Sequence, residues 1–205
     1  MKRRIAALVA IVSFVWLAGC SPLPPQSVSL APHVKVPTGN VGKGKTVALK
    51  VVDGRGDKIV GYRDTDGART APIKVEGELT KSVGEAAERT LSELGFKPVP
   101  FKDGAPLSMT ITIRELSYSA QSATVTRKVA VKCVVSARVV NGPGTWEGSF
   151  PVAQEKEVVS TPDENANARF VNDVLSESLS MLLSDPEMVQ YLGKDTLQGK
   201  PIKGE

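Results

Sequence analysis

From Leu107 the chain alternates strictly, with apolar Leu107, Met109, Ile111 and Ile113 separated by Ser108, Thr110, Thr112 and Arg114. A period of two is the pattern of a half-buried β-strand. The phase shifts at Leu116 and Tyr118, which predicts a bulge or bend in the same strand. A second alternating strand is predicted over 123–140. It places Val125, Val129, Val131, Cys133, Val135, Ala137 and Val139 on one face and Thr124, Thr126, Lys128, Lys132, Ser136 and Arg138 on the other. Asn141-Gly142-Pro143-Gly144 supplies a turn, and Trp146, Gly148, Phe150 and Val152 open a further strand. One apolar and one polar face is the pattern of an antiparallel sheet covered on one side.

Helical periods flank these strands. Over 77–94, Leu79, Val83, Ala86, Ala87, Leu91 and Leu94 share one face, while Lys81, Glu85, Glu88, Arg89 and Glu93 share the other. Gly95 is placed to end that helix in the left-handed conformation. A second helix is predicted to open at a capping box, Thr161-Pro162-Asp163-Glu164, with Thr161 as the N-cap, and to run to Leu183. Its apolar face holds Phe170, Val171, Val174, Leu175, Leu179, Leu182 and Leu183. Asp185-Pro186 caps a short last helix that Gly193 ends. Upstream, Thr46–Val52 reads as a strand, Ile59–Tyr62 as a brief one, and Phe96–Phe101, with two prolines, as an edge strand. The expected product is an α+β domain over 46–193: an antiparallel sheet of about four to five strands with two main helices on one face.

The N-terminus has a different pattern. Lys2, Arg3 and Arg4 precede an uncharged, almost wholly apolar run from Ile5 to Trp16, and Leu17-Ala18-Gly19-Cys20 closes the segment. A spanning helix needs roughly twenty apolar residues, so this run reads as the core of a signal peptide over 1–19. Small residues directly before Cys20 resemble the bacterial lipobox, in which the cysteine thiol is acylated and the segment ahead of it removed. Residues 20–45, rich in Pro and Gly, read as a lipidated cysteine and a flexible tether that reaches up to ~75 Å when extended. Residues 194–205 read as a disordered polar tail.

Cutting at Cys20 changes the charge. The whole chain carries 26 Lys and Arg against 22 Asp and Glu, but three of the basic residues lie in the signal. The remainder is essentially neutral, which removes support for nucleic acid as a partner. Acylation of Cys20 would leave Cys133 without a disulfide partner.

Candidate chemistry is sparse. Gly39 to Thr46 matches the phosphate-loop pattern GxxxxGK[ST] letter for letter, but a Pro-rich stretch precedes it and a strand follows it, the reverse of the required context. His33 is the only histidine and lies in the expected tether, which excludes a Ser-His-Asp triad or a multi-histidine zinc site within the domain. Cys133 reads as a small buried hydrophobe. Glu155 and Glu157 share a strand face with no sign of paired acid–base work. The densest polar cluster is the 53–67 segment, with Asp53, Arg55, Asp57, Tyr62, Arg63 and Asp64 as candidate partner-binding residues. Its Asp64-x-Asp66-Gly67 lacks the regular ligand series and closing Glu of a calcium loop. No cofactor or metal is expected.

The order of segments resembles the YajG family of bacterial envelope lipoproteins: lipobox, Pro-rich stretch, strand ending in Asp53-x-Arg55, and a helix ending Leu94-Gly95-Phe96. The alternating strands and a C-terminal helix with Val171-Asn172-Asp173-Val174-Leu175 and then Leu182-Leu183-Ser184-Asp185 complete it. The resemblance implies an outer-membrane lipoprotein with an α+β periplasmic domain and no catalytic residues. The reading is a non-enzymatic domain anchored in outer-membrane lipid through Cys20 that binds an envelope protein or cell-wall partner. The rival is a small-ligand binder or cell-wall-directed enzyme using Asp53, Arg55, Asp57 and Asp64. A third expectation is self-association through an exposed strand edge.

Overall fold

The computed structural model describes residues 23–37, 39–64 and 69–195; the expected signal peptide, Cys20, and the tail beyond Asp195 lie outside the described residues. Three long antiparallel strands form its spine: β6 (Leu107–Ser122), β7 (Arg127–Asn141) and β8 (Gly144–Val158). The predicted phase shift is a bulge at Arg114, where the register passes from Ile113↔Val135 to Glu115↔Val134. The bulge keeps Leu116 and Tyr118 on the face of Met109, Ile111 and Ile113, and all five side chains are buried. Val125 is not on that face. It lies in the β6–β7 hairpin, because pairing ends at Ser122↔Arg127.

The sheet is larger than expected, with eight strands among the described residues, and four of its seven strand pairings are parallel. The second edge of β6 is shared along its length. β2 (Thr46–Asp53) runs parallel to the first half of β6, and β3 (Ile59–Tyr62) meets it at Gly61↔Tyr118. β5 (Lys97–Pro100) flanks β2 in parallel as the Pro-bearing edge, while β4 (Pro72–Glu76) pairs antiparallel with β3. Alternation shows which face of a strand is buried but not the direction of its neighbour. Here α1 (Leu79–Glu93) carries the chain back across the sheet before β5, so β5 enters parallel to β2.

The expected tether is the largest correction. Its residues 24–37 and 39–45 belong to the folded body. β1 (Gln26–Ser29) pairs in parallel with β4, burying Val28 and Leu30. Residues 31–36 then run extended along α2 (Glu164–Leu183). The backbone N–H groups of Ala31, His33 and Lys35 donate to Asn172 Oδ1, Ser176 Oγ and Ser180 Oγ at 2.8, 2.9 and 2.9 Å. Steps of two along an extended chain match steps of four along a helix, so each outward N–H meets one polar side chain.

α1, α2 and a short α3 (Pro186–Gly193) cover one face of the sheet, and Leu91, Leu175, Leu179, Leu182, Leu183 and Met188 pack there with exposure below 2 %. The N-cap of α2 is Asp163, not Thr161: its carboxylate accepts the Ala166 N–H at 2.7 Å, so the helix starts two residues later than the capping box predicted. Trp146 and Phe150 lean on this core, their ring centroids 6.4 Å apart. The opposite face of β6–β8 carries Thr112, Arg114, Ser136, Arg138 and Glu147 around a shallow depression.

Candidate functional site

The 53–67 segment does not form one cluster, because β3 divides it. At its start Asp53 ends β2 and Arg55 folds back over it. Arg55 Nε donates to Asp53 Oδ1 at 2.8 Å and Nη2 to Oδ2 at 2.9 Å, and the Arg55 backbone N–H also donates to Oδ1 at 3.2 Å. The Arg55 side chain is only 6 % exposed, and its Nη1 is buried without a partner. The Arg55 hydrogen bonds hold the Asp53 carboxyl below the usual carboxylate range, against a smaller opposing effect of burial. Asp57 serves locally, its Oδ1 accepting the Ile59 N–H at 2.9 Å.

Asp53 and Arg55 line a recess of about 670 Å³ with Lys58, Ile59, Lys74, Val75, Gly77, Glu78, Leu79 and Thr80. Asp57 and Asp64 are not in its lining. The recess opens on the N-terminus of α1, whose N-cap Glu78 makes no side-chain capping bond and whose first turn has no acidic residue. The first N–H groups of a helix carry partial positive charge, so this end adds to Lys58 and Lys74. Sequence reasoning missed Lys74 and the helix end. The available signal was Glu78-Leu79, a helix start without Ser, Thr, Asp or Asn at the cap.

At the other end of β3, Arg63 is 7 % exposed and joins three segments. Its Nη1 donates to the Pro24 carbonyl at 3.0 Å and its Nη2 to the Pro162 carbonyl at 3.2 Å, while Arg127 Nη1 donates to the Arg63 carbonyl at 2.9 Å. With the Gln26 amide turned to suit its neighbours, its oxygen accepts from Arg63 Nε at 3.2 Å and from the Glu164 N–H at 3.0 Å. Tyr62 pairs with Pro72 on β3, and Asp64 follows Arg63 into the β3–β4 hairpin. Asp66 and Gly67 lie outside the described residues. Arg63 therefore fastens β1 and the turn before α2 to the sheet.

The phosphate-loop pattern has a structural use. The N–H groups of Gly42 and Gly44 donate to the Leu94 and Gly95 carbonyls at 2.9 and 2.7 Å, capping the C-terminus of α1. Lys45 Nζ reaches the Gly193 carbonyl and pairs with Asp195 at 2.9 Å, closing α3. Amides that face a helix C-terminus and lead into β2 are not arranged to cradle a phosphate. Cys133 is fully buried, and burial pushes its thiol up to about 12, far from nucleophile range. No group of three or more His, Cys, Asp or Glu side chains fit to hold a metal occurs among the described residues. Nor is any helix there long and apolar enough to cross a membrane.

Two solved structures share the fold. One, from Xanthomonas campestris, is 17 % identical with a TM-score of 0.53, covering 80 % of this chain and 97 % of its own. The other, described only as an uncharacterized protein, is 11 % identical with a TM-score of 0.50, covering 78 % and 99 %. A more distant likeness is a minor lipoprotein from Acinetobacter baumannii, 10 % identical, with a TM-score of 0.39 over 73 % of this chain and 90 % of its own. No curated relative matches the chain. Residues 32–193, from the strap along α2 to the end of α3, match one family throughout, and the chain belongs to that family, described as uncharacterized lipoprotein.

Proposed function

We propose that this chain is a non-enzymatic, YajG-like lipoprotein, acylated at Cys20 in the outer membrane, whose periplasmic body binds an acidic group of an envelope partner in the Asp53–Arg55 recess. The recess carries this reading: Lys58, Lys74 and the uncapped end of α1 converge on one concavity, while Arg55 is already neutralised by Asp53. A carboxylate there would gain two ammonium groups and the partial positive charge of the helix end, against the Glu78 carboxylate that shares the lining. Family membership and the lipobox-like segment ending at Cys20 support the anchoring half. The test is crosslinking and affinity capture of the acylated protein from its own envelope, comparing wild type with a Lys58→Glu, Lys74→Glu chain. Loss of a captured species on charge reversal supports the recess; an unchanged capture pattern removes it from the account.

The rival enzymatic reading gains little from this geometry. A general acid must hold a proton near neutral pH, whereas Arg55 keeps Asp53 ionised, and Asp57 and Asp64 do not line the recess.

A further inference from the structure

Among the described residues the two most exposed large hydrophobic side chains are Val125, at 83 %, and Val159, at 88 %; the next, Met181, is 45 % exposed. One exposed valine needs no explanation. These two lie at the same end of the molecule. Val125 sits in the β6–β7 hairpin closed by the Ala123 N–H donating to the Thr126 carbonyl at 2.8 Å. Val159 follows β8 directly, where Val158 pairs with Arg127 at the base of that hairpin.

That end is also where the chain arrives from Cys20. Arg63 holds Pro24 and Pro162 together, and Arg127 holds Arg63. Pro24 is thus two hydrogen bonds from the hairpin base, and Pro162 is three residues beyond Val159. Only Ser21, Pro22 and Leu23 separate Cys20 from Pro24, a reach of at most ~14 Å. A body fastened at Pro24 cannot move far from the lipid that holds Cys20, and the surface around Pro24 is the part nearest to it.

We propose that this end docks on the bilayer, with Val125 and Val159 entering the headgroup region beside the acyl chains of Cys20. The proposal rests on the acylation of Cys20 put forward above. Its contact is carried by the two valines: of the basic side chains at the hairpin base, Lys128 is paired with Glu155 at 2.6 Å and Arg127 is turned to the Arg63 carbonyl. Docking through apolar side chains depends on salt less than attachment through a basic patch. It also fixes the orientation of the body, which a single acyl anchor on a long tether would leave free.

The test uses the full-length acylated chain in phosphatidylethanolamine–phosphatidylglycerol vesicles, with an environment-sensitive dye on Thr124→Cys or, at the far end of β6, on Asp103→Cys. Cys133 is buried and leaves the introduced thiol as the site of labelling. Nitroxide-bearing lipids are expected to quench the dye at 124 several-fold more than at 103. Adding Val125→Asp and Val159→Asp is expected to lower quenching at 124 several-fold, and quenching at 124 that the two substitutions leave unchanged overturns docking. Equal quenching at the two sites in the wild-type background overturns the proposal. The mass of Cys20 and flotation with vesicles separate the two readings. An acylated chain that floats with position 124 unquenched refutes docking alone; an unacylated chain that fails to float refutes the anchor, and docking with it.

Discussion

Asp53 shows how one side chain sets both a stability profile and a chemical limit. Its carboxyl is lowered from 3.8 in the folded chain, chiefly by the side-chain hydrogen bonds from Arg55. A lowered folded value means that the pair stabilises the protein above pH ~4 and that this contribution is lost as pH falls through the folded value. Replacing Asp53 by Asn removes the titration and leaves the mostly buried Arg55 without a counter-charge, at a cost of about 3 kcal/mol near neutral pH. Chemical denaturation of wild type and Asp53→Asn across pH is therefore expected to show a gap that is constant above pH ~5 and closes on acidification. A gap that widens toward low pH would contradict the pairing.

At the scale of elements, the C-terminus of α1 is a Schellman motif: the Phe96 N–H donates to the Leu91 carbonyl and the Gly95 N–H to the Ser92 carbonyl, both at 3.0 Å. Gly95 has φ +84°, and a Cβ there would lie 2.0 Å from Asn40 Oδ1. Gly95→Ala is expected to cost about 2 kcal/mol in thermal or denaturant unfolding, from left-handed strain plus displacement of the loop that caps α1. The strap along α2 gives a second prediction. Ser176→Ala with Ser180→Ala removes the acceptors of the His33 and Lys35 amides, whose residues are exposed and can turn to water. The stability loss is therefore expected to be small, about 1 kcal/mol. Hydrogen exchange at amides 33 and 35 should accelerate strongly while the β6–β7 ladder stays protected.

The same elements show what was legible in the sequence and why. α1 with its closing Gly95, the phase shift near Leu116 and the turn at Asn141–Gly144 are local patterns, and each was readable before the fold was known. The strap was also written in the sequence. Val28, Leu30, Pro32, Val34 and Val36 alternate with polar or small residues, and Asn172, Ser176 and Ser180 recur every four. Prolines at 32 and 37 hid the strap behind a tether-like composition, and its hydrogen-bond partners lie some 140 residues away. The candidate site divides for the same reason. Asp53 and Arg55 adjoin in sequence and meet in space, whereas Lys74 and the α1 N-terminus join them only through sheet topology.

For the whole molecule, the correction to the N-terminal segment changes the mechanical picture. A folded body on a 25-residue leash could search a wide shell; with Cys20 acylated as proposed, a body fastened from Pro24 would stay beside the membrane. The long outer strand β8 pairs only with β7, and Pro151 near its middle lacks an N–H, a feature that discourages added strands. This edge therefore offers a poor surface for self-association, and the proposed partner contact is the recess. Neutron reflectometry of the acylated chain on a supported bilayer measures the length of this proposed lipid-anchored connection. Protein density is expected to begin at the headgroups, with any hydrated gap no deeper than ~15 Å. A water-rich layer several times deeper, approaching the ~75 Å of an extended tether, would contradict it.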